Sequence, residues 1–238
     1  MNSLTETDHT LGNSANPPRI RSFVRRQGRL TEGQQLALAQ YWDKYCLTPN
    51  QRIDPAQVFA NAAPVVVEIG FGNGTSLASM ALANPSINYI GIEVHRPGVG
   101  HLLWLLHSQG IENVRIYCHD AIEILEHCLA EQSLFGVLLF FPDPWHKRKH
   151  HKRRIVRPEF LALLQQKLQP NGYLHIATDW SHYAQSIVKL MASQSQWRNQ
   201  SPSNDYCPRP SYRPLTKFEQ RGLRLGHGVW DLIFIKNE

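Results

Sequence analysis

The chain has 238 residues, 42% of them hydrophobic, and 25 Lys and Arg against 19 Asp and Glu, a formal net charge of +6. That length and apolar content suit one domain of ordinary size, or a domain with an arm, and exclude a wholly disordered chain. No apolar run reaches the roughly 18 residues that span a bilayer, and residues 1–18 resemble neither a secretory nor a transit leader, so the expected compartment is the cytoplasm, away from membranes.

Residues 1–18 are polar, end in Pro17-Pro18, and are expected to be disordered. An arm follows with Arg19, Arg21, Arg25, Arg26 and Arg29 and no acid until Glu32. Thr31 is placed to cap a helix carrying Leu36, Leu38, Ala39, Tyr41 and Trp42. From Pro64 the sequence alternates strand and helix. Strands are expected at Val65–Ile69, Asn88–Ile92, Val114–Cys118, Val137–Phe141, Gly172–Ala177 and Val229–Ile235. The helices between them are expected at Thr75–Ala83, Pro97–His107, Ala121–Ala130, Pro158–Leu168 and Ser181–Met191. Val137 to Phe141 is apolar on both faces and so belongs at the centre of a sheet. This alternation implies an α/β fold: a mostly parallel sheet with helices on both faces and ligands at the carboxyl ends of the strands.

Acids stand at those ends. Glu68 lies within the first strand, Glu93 just after the second, Asp120 after the third, Asp143 after the fourth and Asp179 after the fifth. Packing alone does not require that distribution. Between the first strand and its helix lies Gly70-Phe71-Gly72-Asn73-Gly74. Its glycines let the backbone approach a ligand, but the third comes one residue too early for a dinucleotide fingerprint. Glu68 is poorly placed beside a pyrophosphate and well placed for a cation. The pattern resembles motif I of the class I S-adenosylmethionine methyltransferases. In that setting Glu93 can accept both ribose hydroxyls. Asp120 resembles the acid that receives the adenine amino group, and it equally suits a helix cap.

Phe141-Pro142-Asp143-Pro144-Trp145 ends the fourth strand and leads into Lys147, Arg148, Lys149, Lys152, Arg153, Arg154 and Arg157, with no acid among them. Without this run and the arm, 13 cations would face 19 acids. The basicity is therefore local, and it points to a polyanionic partner, although either run alone also suits a solvated face. Two prolines stiffen the backbone around Asp143; Trp145 offers an apolar plane or serves as core. His146, His150 and His151 lie among cations, which disfavours a metal site, and no metal is expected. Cys46, Cys118, Cys128 and Cys207 form no C-x-x-C pair and suit reduced structural thiols.

From about residue 19 to the end, the chain resembles the bacterial tRNA (guanine-N7-)-methyltransferases. The resemblance rests on EIGFGNG, GIEVH, FPDPW with its HKRR tail, ATDW, TKFEQRG and the arm RSFVRRQGRL. It implies a class I methyltransferase Rossmann-like fold with a seven-stranded sheet. Residues 19–60 would form a basic arm and helix, and residues 61–238 the methyltransferase domain. It also implies methyl transfer from S-adenosylmethionine, leaving S-adenosylhomocysteine, to a variable-loop guanosine at position 46 of tRNA. By the same resemblance Glu68, Gly70, Gly72, Glu93, Asp120 and Asp143 contact the cofactor, and Asp143 is also catalytic. Lys147, Asp179, Thr216, Lys217, Phe218 and Glu219 contact the substrate, with Asp143, Asp179 and Glu219 as candidate acceptors for the guanine N1–H and N2–H donors. Lys149, Lys152, Arg153 and Arg154, with Arg25 and Arg26 of the arm, contact RNA. A monomer or homodimer is expected, with tRNA as the partner. Other readings of the residues are an amino-group methyltransferase, because Asp143-Pro144-Trp145 is similar to the Asp/Asn-Pro-Pro-aromatic motif, a nicotinamide dehydrogenase, and a non-catalytic RNA-binding protein on this scaffold.

Overall fold

The structure is a computed structural model that describes residues 20–23, 28–216, 219, 220, 224 and 228–238. The expected disordered tail and the candidate contacts Arg25, Arg26, Lys217 and Phe218 lie outside these residues. In chain order the elements are α1 Glu32–Tyr45, α2 Pro55–Phe59, β1 Val65–Ile69, α3 Thr75–Ala83, β2 Asn88–Ile92, α4 Arg96–Ser108, β3 Val114–Tyr117 and α5 Ala121–His127. They continue with β4 Leu134–Phe140, a 3₁₀ turn Arg148–Arg153, α6 Pro158–Lys167, β5 Leu168–Thr178, α7 Ser181–Met191, β6 Trp197–Asn199 and β7 Trp230–Lys236.

The sheet order is β3-β2-β1-β4-β5-β7-β6. The first five strands in that order run parallel, and β7 enters antiparallel between β5 and β6. The apolar fourth strand is central, as expected. Alternation along β1 sends Val65, Val67 and Ile69 into a layer with α5, α6 and α7, and Val66 into a layer with α1, α3 and α4. Thr31 closes α1 with a capping box: its Oγ1 accepts from the Gln34 amide, and its own amide donates to the Gln34 side chain.

Several elements differ from expectation. The fourth strand begins at Leu134 and ends at Phe140, because Phe141 has φ of 51° and cannot extend it. The fifth begins at Leu168, paired with Leu134, and absorbs the Pro170-Asn171 interruption through a shift of register. Helix α2 and strand β6 were not expected; they have only five and three residues, too few to show a period.

The first turn of α4 presses on the glycine loop. A Cβ on Gly98 would stand 1.9 Å from the Gly72 carbonyl oxygen, and His101 Nδ1 lies 2.6 Å from the Asn73 carbonyl oxygen. Gly98→Ala is therefore expected to force backbone apart, lowering stability by about 1–3 kcal/mol and weakening cofactor binding. Thermal unfolding and cofactor titration check this; wild-type values for both would show that the contact yields easily.

Candidate active site

Gly70, Gly72 and Gly74 have φ of 73°, 61° and 77°, the left-handed region that other residues enter at a cost. The loop they form is tied to the next strand. The Gly70 amide donates to the Ile92 carbonyl at 2.8 Å, and the Gly72 amide donates to Glu93 Oε2 at 2.9 Å. The other oxygen of Glu93 accepts from the Val94 and His95 amides at 2.7 and 3.0 Å. This carboxylate therefore organises the loop. Asp120 caps α5, accepting from the Ile122 amide at 2.9 Å, so the helix-cap reading holds.

Glu68 sits behind the loop at 2% exposure, and its Oε2 has no hydrogen-bond partner. Burial, and then the charge of Glu93, push its carboxyl up to about 8. A buried, orphaned carboxylate beside a second carboxylate suits a ligand that brings positive charge.

Gly70 and Glu93 line a cavity of about 270 Å³ together with Ile92, His119, Phe141 and Asp143 among others, whereas Glu68, Gly72 and Asp120 are not part of its lining. It is bordered by an open cleft of about 1040 Å³ that shares Glu93, His119 and Asp143 with it and adds Arg96, Trp145 and Lys147. Ser22 and Phe23 of the arm line the cavity, and Phe23 and Gly28 the cleft. A third cleft, about 870 Å³, lies across Phe141, Pro142 and Pro144 and contains Asp179, Trp180 and His182. The Phe141–Trp145 turn is the wall common to all three, and exposed Asp143 stands on it. His119 was not singled out from the sequence; its Nε2 bonds Glu123 Oε2 at 2.6 Å, an i,i+4 pair legible in hindsight.

Trp145 is neither a free plane nor core. It is half-buried, its Nε1 donates to the Ser22 carbonyl at 3.2 Å, and the Arg153 guanidinium lies 4.8 Å over its ring. Among the RNA-contact candidates Lys149 and Lys152 are exposed and Arg153 is half-buried. Arg154 departs from expectation. It is 7% exposed, donates from Nε to the Pro144 carbonyl at 2.8 Å and from Nη1 to Ser186 Oγ at 3.1 Å, and covers the Tyr183 ring. Its guanidinium is used up inside the protein, bracing the turn. Lys147 is exposed on the large cleft. Thr216 Oγ1 accepts from the Glu219 amide at 3.1 Å. Glu219 is 3% exposed, and both its oxygens bond Arg213, a residue that sequence reasoning missed.

Among the described residues no helix is long and apolar enough to cross a membrane, and no three His, Cys, Asp or Glu are grouped to hold a metal ion. None of the four cysteines is in a disulfide.

The strand order, the glycine loop and the acids at successive strand ends define a class I methyltransferase. Residues 62–232 match a family described as "Putative methyltransferase". A tRNA (guanine-N(7)-)-methyltransferase of Yersinia enterocolitica is 56% identical over 224 residues, 92% of each chain, and one of Alcanivorax borkumensis is 55% identical over 219 residues, with the same coverage. This chain belongs to the tRNA (guanine-N(7)-)-methyltransferase family. The fold also matches a solved 16S rRNA (adenine(1408)-N(1))-methyltransferase of Catenulisporales acidiphilia, determined with its cosubstrate SAM. That TM-score is 0.51 at 16% identity, covering 79% of this chain and 93% of that one. An rRNA methylase of Streptococcus thermophilus gives 0.51 at 15% identity, covering 74% and 88%.

The raised Glu68 has a measurable signature. Between the ordinary carboxylate value and about 8, the folded chain holds a proton that the unfolded chain has lost. Stability of the ligand-free protein should therefore fall as pH rises through that window, by at most about 1.4 kcal/mol per pH unit. A cationic ligand should expel the proton. Glu68→Gln is expected to flatten the pH dependence of thermal unfolding and to abolish proton release on cofactor binding, measured by calorimetry in two buffers. An unchanged pH profile in the variant would remove Glu68 from this role.

Proposed function

We propose that this protein transfers the methyl group of S-adenosylmethionine to N7 of the guanosine at position 46 in the variable loop of tRNA, in the cytoplasm. The observation that carries the assignment of sides is the Phe141–Trp145 turn, which separates the loop-and-acid cavity from the cleft holding Asp179.

When bound, S-adenosylmethionine supplies an electrophilic methyl group carried on positive sulfur. Glu68 and Glu93 give its end of the site negative charge, Asp120 and His119 border the third strand end, and the loop amides fix the approach of the backbone. Guanine N7 has an in-plane lone pair and no proton, so no residue has to act as a general base. The task of the chain is to align donor and acceptor, and positioning supplies most of the acceleration. Asp143, exposed between the two sides, faces the positive charge that the base acquires at N7. Asp179 is the acceptor for guanine N–H donors from the other side.

The exposed cations Lys147, Lys149 and Lys152 grip phosphates beside this edge. Replacing Lys149 and Lys152 together by Ala should lower the slope of log affinity for tRNA against log salt by roughly 0.7–0.9 per lost contact, with cofactor affinity and thermal stability retained. Arg154→Ala should behave in the opposite way, losing thermal stability. An unaltered slope in the lysine variant would make that surface merely solvated.

The reaction is tested with labelled S-adenosylmethionine and unmodified tRNA, mapping the methyl by cleavage specific to N7-methylguanosine. Asp143→Asn keeps the shape of the side chain and removes its charge. It is expected to slow methylation at least about tenfold, or about 1.4 kcal/mol in barrier, with thermal stability near wild type. Methyl found on an exocyclic amine would replace the N7 assignment, and a wild-type rate for Asp143→Asn at saturating substrates would end its catalytic role.

A further inference from the structure

Arg213 is 1% exposed, one of the largest fully buried side chains among the described residues, and stands between two carboxylates. Its Nε and Nη2 donate to Asp231 Oδ1 and Oδ2 at 2.6 and 2.8 Å. Its Nη1 and Nη2 donate to Glu219 Oε2 and Oε1, both at 2.7 Å. Each pair is bidentate, a geometry only a planar guanidinium provides. Asp231 is fixed in turn by His175, whose Nε2 donates to Oδ1 at 2.7 Å; the Tyr212 hydroxyl donates to His175 Nδ1 at 2.8 Å.

Buried ion pairs are weak sources of stability, because desolvation offsets the attraction. What this one specifies is position. Asp231 belongs to β7 and His175 to β5, the strand whose end carries Asp179. Glu219 ends the segment that begins at Thr216, and Thr216 Oγ1 bonds its amide. The same guanidinium lies 5.9 and 5.8 Å from the ring centres of Phe140 and Phe141, at the root of the Asp143 turn. One side chain thus joins the sheet, the turn and Glu219. Meanwhile Glu219 lines none of the three clefts, and both its oxygens are committed.

We propose that Arg213 is a positioning residue for methyl transfer, and that Glu219 is its anchor rather than an acceptor for the guanine. This rests on the function proposed above and on the family resemblance, which assigns Thr216 and Glu219 to the substrate side.

The two roles for Glu219 separate on substitution. As an anchor, it loses its purpose when Arg213 changes. As a base contact, it keeps its carboxylate, now less encumbered, in Arg213→Lys. Steady-state kinetics are measured for Arg213→Lys, Glu219→Gln and the double variant. Expected are similar losses in kcat of about tenfold or more in both single variants and no further loss in the double variant, because both cut one link. Cofactor affinity should stay within about twofold of wild type, a split that general loosening of the fold would not give. A near-normal kcat in Arg213→Lys with a large loss in Glu219→Gln would overturn the proposal, as would losses that multiply. If Arg213→Lys does not fold, Asp231→Asn loosens Arg213 from the strand side and must reproduce the loss in kcat; wild-type kcat there overturns the proposal. Wild-type protein that places no methyl on N7 would overturn the underlying function, and the inference with it.

Discussion

Phe141 and Trp145 both hold left-handed backbone conformations, with φ of 51° and 48°. For bulky residues each costs of order 1–3 kcal/mol, and such geometry lasts only where the surroundings enforce it. The enforcing contacts come from all over the chain. The Phe141 amide donates to the Ala177 carbonyl on β5. The Ser22 carbonyl of the arm takes the Trp145 indole, Arg154 holds the Pro144 carbonyl, and Arg213 packs on Phe140 and Phe141. Remote parts of the sequence are thereby spent on five residues. The geometry of that turn sets where the cavity lined by Gly70 and Glu93 stops and the Asp179 cleft begins.

What was legible in the sequence was local. The boundaries of β1, α3, β2 and α7 follow from short apolar runs and nearby turn residues. The acids at strand ends could be found because each stands beside its strand in the chain. Contacts between distant residues left no such trace. His175 interrupts an apolar strand without announcing a partner, Asp231 lies 56 residues further on, and Arg213 is 18 residues from Asp231. Arg154 looked like its neighbours in the basic run. Only the tertiary arrangement turns it inward to the Pro144 carbonyl and Tyr183 and leaves Lys149 and Lys152 outside. Asp54 and Pro55 do carry a helix-start signal, and Asp54 does cap the Ala56 amide, but the helix ends after five residues.

The two charged centres of the site are built in opposite ways. Around Arg213 the charges are paired and hydrogen-bonded, so the arrangement is complete in the protein alone. Around Glu68 an oxygen is left without a partner, and the carboxyl keeps its proton well above the ordinary range. The first centre holds geometry, whereas the second leaves a buried carboxyl oxygen without a hydrogen-bond partner. On the proposed function, conformational stability and cofactor affinity are therefore linked through Glu68 and largely independent through Arg213.

The antiparallel entry of β7 has a consequence for how the molecule is made. This strand follows every other strand in the chain, yet it occupies the slot between β5 and β6 and delivers Asp231 to Arg213. Until it pairs, β5 has an open edge and Arg213 lacks its strand-side carboxylate. Pairing so late in synthesis makes completion of the sheet a non-local and comparatively slow event. A chain that has already formed β1 through β5 thus has the glycine loop and the acids at the strand ends in place, but not the Arg213 cluster.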